Sequence, residues 1–226
     1  MPEPSFADYL EYISTTPPPP ATISRFNTVP WVRRYMENTA YKAIPVFSRN
    51  PNNHGENNYF SKTVNSPTTI PHWLCMMRKD FSTLAEEPRQ ASQPRVSMLS
   101  GPAPNGQEQA PEYPDCVLIL ELGSDLNGFP DTVHGGVLCA ILDESLSLAV
   151  ETHRQLTGNG RTELFTAQLN ITYRAPVMAP SIVAVKTWLA SRQGRKWYMR
   201  GQVENEHGNI LTEATGLWIA AKEASM

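Results

Sequence analysis

The sequence lacks the features of several large protein classes. Basic residues are not in excess, since 19 Lys and Arg stand against 22 Asp and Glu, for a net charge of −3. We therefore expect no nucleic-acid partner. No run of 18 apolar residues occurs, so no membrane span is predicted. The first 14 residues have neither the basic and apolar regions of a secretory signal nor the Arg-rich composition of a mitochondrial transit peptide.

Cysteine is also scarce. Cys75, Cys116 and Cys139 are widely separated, odd in number and form no CxxC motif. They predict neither a disulfide framework nor a metal site. Buried thiols in a reducing compartment are the simplest interpretation. Together with the acidic N-terminus, they predict a cytoplasmic protein.

Proline is almost missing from the second half of the chain. Of the 20 prolines, 18 lie within residues 1–130, and the apolar content of 40% is below the globular average of about 45–50%. This asymmetry predicts an irregular N-terminal extension over residues 1–114 and a folded domain over residues 115–222.

Short helices and loops are expected within the extension. A helix is predicted over residues 5–14, a second begins at Pro30, and a third covers residues 69–84. Residues 86–114 hold six prolines and little periodic apolar signal, so they predict an extended surface loop.

The folded domain has the pattern of one strand, one long helix and four further strands. Residues 115–123 form an apolar strand run, and residues 133–156 carry one helical pattern. Turns at Gly194 and Gly208 separate later strands. Apolar residues on all sides of the helix indicate that it is buried. We predict an α+β fold in which an antiparallel sheet wraps around this helix.

Candidate chemistry lies at the start of the helix, where His134 precedes Gly135 and Gly136. The N–H groups in the first turn of a helix have no partners within it, and they carry the positive end of its dipole. Two glycines allow a substrate to come close, so both amides are candidates for an oxyanion hole. The alternative is a tight entry into the helix, with Asp131 or Thr132 as its N-cap.

Asp143 and Glu144 are carboxylates in the middle of the apolar helix, where a charge is costly unless it is paired or functional. Nine residues separate His134 from Asp143, which is about two and a half turns and about 13 Å along the axis. The two cannot act on one atom within one chain. If both serve one site, a second copy supplies one of them, which predicts a homodimer or a dimer of dimers.

The segment HGGVLCAILDESLSLAV resembles the signature of the hotdog-fold thioesterases, in which an acid lies nine residues after the His. The runs FTAQLNITYRAPV, SRQGRKWYMRGQVEN and LTEATGLWIA resemble the mammalian thioesterase-superfamily-member proteins and the bacterial phenylacetate-pathway type. The likeness covers residues 115–222, and residues 60–85 resemble fungal members. It implies a hotdog fold and an acyl-CoA thioesterase of lipid metabolism.

The resemblance also implies roles for individual residues. Asp143 is the general base or nucleophile at the thioester carbonyl, and Thr166 supports the acid or the attacking water. The Gly135 and Gly136 amides polarise the carbonyl oxygen, and His134 shapes their loop. A thioester has a good leaving group, so one carboxylate and one oxyanion donor suffice without a metal.

Coenzyme A enters only as part of the substrate, and no separate cofactor is expected. A basic turn of Arg192, Arg195 and Lys196 offers candidate partners for its phosphates, with an ordinary solvated turn as the alternative. Asn127, in the turn before the helix, is a further candidate substrate-binding residue.

The sequence leaves three questions open. Glu144 follows the acid position, where many relatives carry alanine or serine, but the spacing favours Asp143. The acyl group is carried either by CoA or by an acyl carrier protein of secondary metabolism. A non-catalytic acyl-binding protein is a third hypothesis, although the acid and both glycines are present.

Overall fold

A computed structural model describes residues 9–51, 57–81, 110–157 and 163–221. This part of the chain contains four α-helices: α1 (Tyr9–Thr15), α2 (Pro20–Asn27), α3 (Pro30–Met36) and α4 (Gly135–Leu156). Its strands are β1 (Tyr41–Ile44), β2 (Trp73–Arg78), β3 (Cys116–Leu122), β4 (Asn127–Phe129), β5 (Thr132–Val133), β6 (Leu164–Tyr173), β7 (Ser181–Gln193), β8 (Lys196–Glu204) and β9 (Ile210–Ala220).

Seven strands form one antiparallel sheet in the order β1-β2-β3-β7-β8-β9-β6. β4 pairs with β5 in a separate ribbon that leads into α4. The predicted turns after β7 and β8 contain Gly194 and Gly208, whose φ angles of 58° and 77° favour glycine. One face of the sheet packs on α4. The predicted hotdog architecture, a sheet around a central helix, is confirmed.

Helix α4 lies close to the sheet because its apolar side chains fill the facing surface. Leu142, Leu146 and Ala149 are completely buried. On β8, a Cβ at Gly201 would lie 3.2 Å from Cδ2 of Leu146, so the missing side chain permits this close approach. The helix is not buried on every side as predicted. One stripe remains half-buried or exposed, and we call it the open stripe: Gly136, Ala140, Asp143 and Ser147.

Residues 69–84, predicted as a helix, contain strand β2 instead. The prediction was wrong because the run WLCMM is apolar at every position, a pattern shared by buried helices and by strands covered on both faces. Trp73 and Cys75 belong to the core around α4. Leu74 and Met76 belong to a second core on the opposite face.

The face of the sheet opposite α4 is covered by α2 and α3. Phe26 and Val32 are completely buried there, against Leu74, Met76, Val117, Ile119 and Ala184 of β2, β3 and β7. Arg25 donates to both carboxylate oxygens of Glu121 on β3, at 2.9 and 2.8 Å. This bidentate pair fastens α2 to the sheet.

Strands on both sides of the predicted boundary at residue 115 share the sheet, because β1 and β2 pair in sequence with β3. α1 packs near the end of α4, where the Leu10 N–H donates to Oε1 of Gln155 at 3.2 Å. The described part of the extension therefore belongs to the core, while the domain boundary itself stays a prediction. The loop predicted over 86–114 lies outside the described residues up to 109.

We predict that Phe26→Ala lowers the free energy of unfolding of the whole fold by about 3–5 kcal/mol, because it empties a buried site between α2 and the sheet. Urea unfolding followed by circular dichroism measures this change. Arg33→Ala, at an exposed position of α3, is the control and should change stability by less than about 0.5 kcal/mol. An unchanged urea midpoint for Phe26→Ala would mean that α2 is only loosely attached.

Candidate active site

His134 is the N-cap of α4, in place of the predicted Asp131 or Thr132. It has an extended backbone, and Nδ1 of its ring accepts the Gly136 N–H at 2.9 Å. Thr132 lies instead in β5 and pairs with Phe129. Because Nδ1 is an acceptor, a neutral His134 carries its proton on Nε2. The Nε2–H of this exposed side chain is therefore free to donate.

The two glycine amides are not equivalent. The Gly136 N–H is bonded to His134, which leaves the Gly135 N–H as the more accessible donor of the two, and the roles of both amides stay predictions. Among the described residues, no hydrogen-bond acceptor contacts the Gly135 N–H. The carbonyl of Gly135 accepts the Tyr173 hydroxyl at 2.8 Å. The peptide between the two glycines is thus held at both its ends.

Asp143 lies on the open stripe and is half-buried. Burial raises the pKa of its carboxyl above the ordinary value, and a hydrogen bond from Thr166 lowers it. The Thr166 hydroxyl donates to Oδ1 at 3.0 Å. The structure therefore brings the predicted pair into direct contact, although their catalytic roles stay predictions. A partly desolvated carboxylate next to open surface is suited to proton transfer.

A β-bulge gives Thr166 its orientation. Thr166 pairs with Trp218 of β9, but Gln168 pairs with Leu217, so Ala167 is the extra residue. Directly opposite residues share a face, and buried Trp218 faces α4, so Thr166 does too. Before the bulge the even-numbered residues of β6 face α4, and after it the odd-numbered residues do. Tyr173 therefore faces α4 as well. Bulges often re-aim a side chain near an active site in this way.

Tyr173 was missed in the sequence because of this bulge. In a regular strand, residues 166 and 173 point to opposite faces. The sequence alone therefore argues against a site shared by Thr166 and Tyr173. The only local signal is a polar-tipped aromatic side chain at the end of the strand.

Trp218 closes one side of the site. Its Nε1–H donates to the Ser147 hydroxyl at 3.0 Å, one turn of α4 after Asp143. The indole is 1% exposed. A Cβ at Gly216 would lie 2.2 Å from its ring, so this glycine leaves the space that the indole occupies.

Glu144 points away from this site. Its Oε1 is inaccessible and has no hydrogen-bond partner among the described residues. Burial raises the pKa of Glu144 to about 7; the Ser48 hydroxyl lowers it, and the negative charge of Asp143 raises it. A carboxyl enclosed beside Ser48 of the N-terminal segment is poorly placed to reach a substrate. The geometry agrees with the choice of Asp143 from spacing.

The basic turn is not brought together with these residues in one chain. The guanidinium of Arg192 lies 4.1 Å from the centre of the Trp197 ring, and Arg195 donates to the Ala220 carbonyl at 2.5 Å. The Trp197 ring lies 6.3 Å from that of His153, in the last turns of α4. That end of the helix is about 15 Å from Asp143. Lys196, in the same turn, is exposed.

Asn127 lies much closer to the start of α4. It pairs with Val133 in the ribbon of β4 and β5, and Oδ1 of its side chain is buried without a partner among the described residues. The next residue, Gly128, lies against the ring of His134, where a Cβ would be 2.8 Å from Cδ2. Within the described ranges, no group of three or more His, Cys, Asp or Glu side chains is arranged to hold a metal ion.

The part of the chain with this geometry matches a known family. Residues 131–212 match the model of the thioesterase superfamily. This segment, about a third of the chain, is similar to the thioesterase superfamily. The match begins before the His134 cap and includes α4 and most of the strands that follow, so it contains Asp143, Thr166 and Tyr173.

Individual relatives of the thioesterase domain are more distant. The acyl-coenzyme A thioesterase THEM4 of Mus musculus is 34% identical over 104 residues, 46% of this chain and 42% of that protein. The mitochondrial membrane protein FMP10 of Saccharomyces cerevisiae is 26% identical over 99 residues, 44% and 39% of the two chains. A solved Bacillus halodurans protein with CoA is 24% identical, with a TM-score of 0.41 over 46% of this chain and 66% of that one. The chain thus spans about two fifths of the curated relatives' length.

The predicted cytoplasmic location is wrong on this comparison, because the yeast relative is named a mitochondrial membrane protein. The prediction rested on leader features and on free thiols, and free thiols persist in any reducing compartment. Within the described residues, no helix has the length and apolar character needed to cross a membrane.

We predict that Glu144 makes the fold less stable as the pH rises. Its pKa is about 7 in the folded chain against an ordinary value of 4.5, so the folded state binds the proton more tightly. The stability from this protonated carboxyl is complete below pH 4.5 and is lost as the pH rises through 7, a change of about 3 kcal/mol.

Glu144→Gln should remove this loss, so the variant is more stable than the parent at pH 8 and differs less from it at pH 5. Urea unfolding at both pH values measures the change, and Glu37→Gln at an exposed site is the control. An equally steep fall in stability in Glu144→Gln would contradict the assignment.

Proposed function

We propose that this chain is an acyl-CoA thioesterase that hydrolyses its substrate to a free acid and CoA, with Asp143 as the reacting carboxylate. The observation that carries the proposal is the Thr166–Asp143 hydrogen bond on a helix that begins with an unpaired Gly135 amide. The superfamily match supports the reaction class, and the similarity to the mouse acyl-coenzyme A thioesterase supports CoA as the thiol.

In the proposed reaction, Asp143 accepts a proton from water as the water oxygen attacks the thioester carbonyl carbon. The Gly135 N–H stabilises the oxyanion that forms. When the tetrahedral intermediate collapses, the C–S bond breaks and the CoA thiolate takes up a proton. The alternative is direct attack by the Asp143 carboxylate to give an acyl anhydride, which water then hydrolyses.

The proposed site is assembled by two copies of the chain. Asp143 and Gly135 are eight residues apart on α4, which is about 12 Å along the axis, too far for one carbonyl group to reach both. β6 pairs with β9 along one edge, and among the described residues its other edge has no strand partner. An open edge of ten residues is a surface for pairing with another chain. The open stripe faces the same side and offers Asp143 to the second copy.

Coenzyme A is proposed as part of the substrate, with no separate cofactor. In this assembly, the turn of Arg192, Arg195 and Lys196 is a candidate contact for its phosphates, and Asn127 is a candidate contact near the carbonyl. The buried, unpaired Oδ1 of Asn127 supports the second assignment, since a substrate N–H or a bound water would satisfy it.

We predict that Asp143→Asn lowers kcat by about 10²- to 10⁴-fold, because an amide cannot accept the proton. The measurement is hydrolysis of a panel of acyl-CoA thioesters and of the same acyl groups on a carrier protein. Glu37→Gln, the same change at an exposed site, should keep full activity.

Wild-type turnover in Asp143→Asn would contradict the assigned role. Faster hydrolysis of the carrier-protein thioesters would identify those as the substrate in place of acyl-CoA. Binding of a non-hydrolysable acyl-CoA without turnover of any thioester would indicate a binding protein. One turnover in H₂¹⁸O with enzyme in excess tests for the anhydride, since attack of water on the Asp143 carbonyl of an anhydride places the label in Asp143, whereas general-base catalysis places it in the product.

A further inference from the structure

We propose that Tyr173 is a positioning residue for the oxyanion donor, and that its hydroxyl fixes the Gly135–Gly136 peptide so that the Gly135 N–H keeps one direction. This inference rests on the proposed function, because it assigns that N–H to the thioester carbonyl. Tyr173 itself touches the turn and not the reacting atoms.

The contacts of the Tyr173 hydroxyl define a short chain of hydrogen bonds. The hydroxyl donates to the Gly135 carbonyl at 2.8 Å, and Sγ of Cys139 lies 3.0 Å from the same hydroxyl oxygen. A phenol has one proton to donate, and the carbonyl receives it. The Cys139 thiol is therefore the donor to the Tyr173 oxygen.

The same peptide is held at its other end by His134. Its N–H, which belongs to Gly136, donates to Nδ1 of the His134 ring at 2.9 Å. Hydrogen bonds along a chain polarise one another, so the bond to the carbonyl makes this N–H a better donor. That favours the His134 tautomer with the proton on Nε2. The His134 Nε2–H thus depends on this peptide directly. The Gly135 N–H belongs to the preceding peptide, which is joined to this one at Cα of Gly135, so fixing the one restrains the other.

Glycine makes this restraint necessary. A Cβ at Gly135 would lie 3.1 Å from the Tyr173 oxygen, a tight contact that would push the hydroxyl back, so glycine favours this close approach. The same residue type has the greatest backbone freedom, and an oxyanion donor acts only when its direction is fixed in advance. The Tyr173 hydroxyl supplies the restraint that the glycine backbone lacks.

The phenol stays a donor across the working pH range. Burial raises the pKa of Tyr173 to about 12. The ring is 51% exposed, so it contributes little to the core. Removal of its hydroxyl should therefore leave the fold intact and change only the turn.

The test is Tyr173→Phe, assayed with the best thioester of the panel. We expect kcat to fall about tenfold and KM to change by less than about twofold, because ground-state binding keeps its contacts while the oxyanion donor loses its orientation. Tyr59→Phe removes a hydroxyl from another exposed ring and is the matched control. Wild-type kcat in Tyr173→Phe, with a normal unfolding midpoint, would overturn the proposal.

A double-mutant cycle tests the order of the chain. Cys139→Ala should lower kcat by about twofold, because a thiol is a weak donor. It should have no further effect when Tyr173 is already Phe, since Cys139 acts through the hydroxyl. If Cys139→Ala lowers kcat equally with Tyr173 and with Tyr173→Phe, Cys139 does not act through the hydroxyl. That result would overturn the proposed order of hydrogen bonds.

An NMR measurement tests the proposal without any turnover. In Tyr173→Phe, the amide resonances of Gly135 and Gly136 should move and exchange faster with solvent, and the ¹⁵N shifts of the His134 ring should move toward a tautomer mixture. Unchanged resonances would overturn the positioning role. An inactive wild type with these NMR changes present would overturn the proposed function alone.

Discussion

The close seating of α4 on the sheet is the constraint on which the rest of the structure depends. Leu142, Leu146 and Ala149 are completely buried in that contact, and Gly201 lets the two elements approach. Once those sides of the helix are enclosed, the open stripe is left as the part of its middle turns that offers a carboxylate to a substrate. Asp143 lies on the stripe, whereas its neighbour Glu144 is enclosed and tends to hold its proton. The packing thus decides which of two adjacent carboxylates is available for chemistry.

A single extra residue connects the sheet to both ends of the proposed chemistry. The bulge at Ala167 turns Thr166 toward Asp143 and leaves Tyr173 on the same face, near Gly135. A regular strand would present one of these hydroxyls to α4 and the other to the opposite side. The site therefore needs an irregularity in β6, and it also needs the regular pairing with β9 on either side of it.

The features that can be predicted from the sequence are those that neighbouring residues determine. The helical periodicity of residues 133–156 and the glycines at 194 and 208 identified α4 and two tight turns, because each signal acts over a few residues. The acid at Asp143 and its contact with Thr166 followed from a resemblance. Strand β2, the bulge and the Tyr173 contact were missed, since each depends on a neighbour distant in sequence. The apolar run WLCMM alone does not show that its second face will be covered by α2.

The layer formed by α2 and α3 has a consequence for how copies of this chain can assemble. In a sheet with one bare apolar face, two molecules can stack back to back through that face. Here Phe26 and Val32 already occupy it over β2, β3 and β7. A second copy can still pair with the outer edge of β6. In such a pair, the β6 edge of each partner would be hydrogen-bonded to the other. The covering layer thus occupies that face over β2, β3 and β7, while among the described residues the outer edge of β6 has no strand partner.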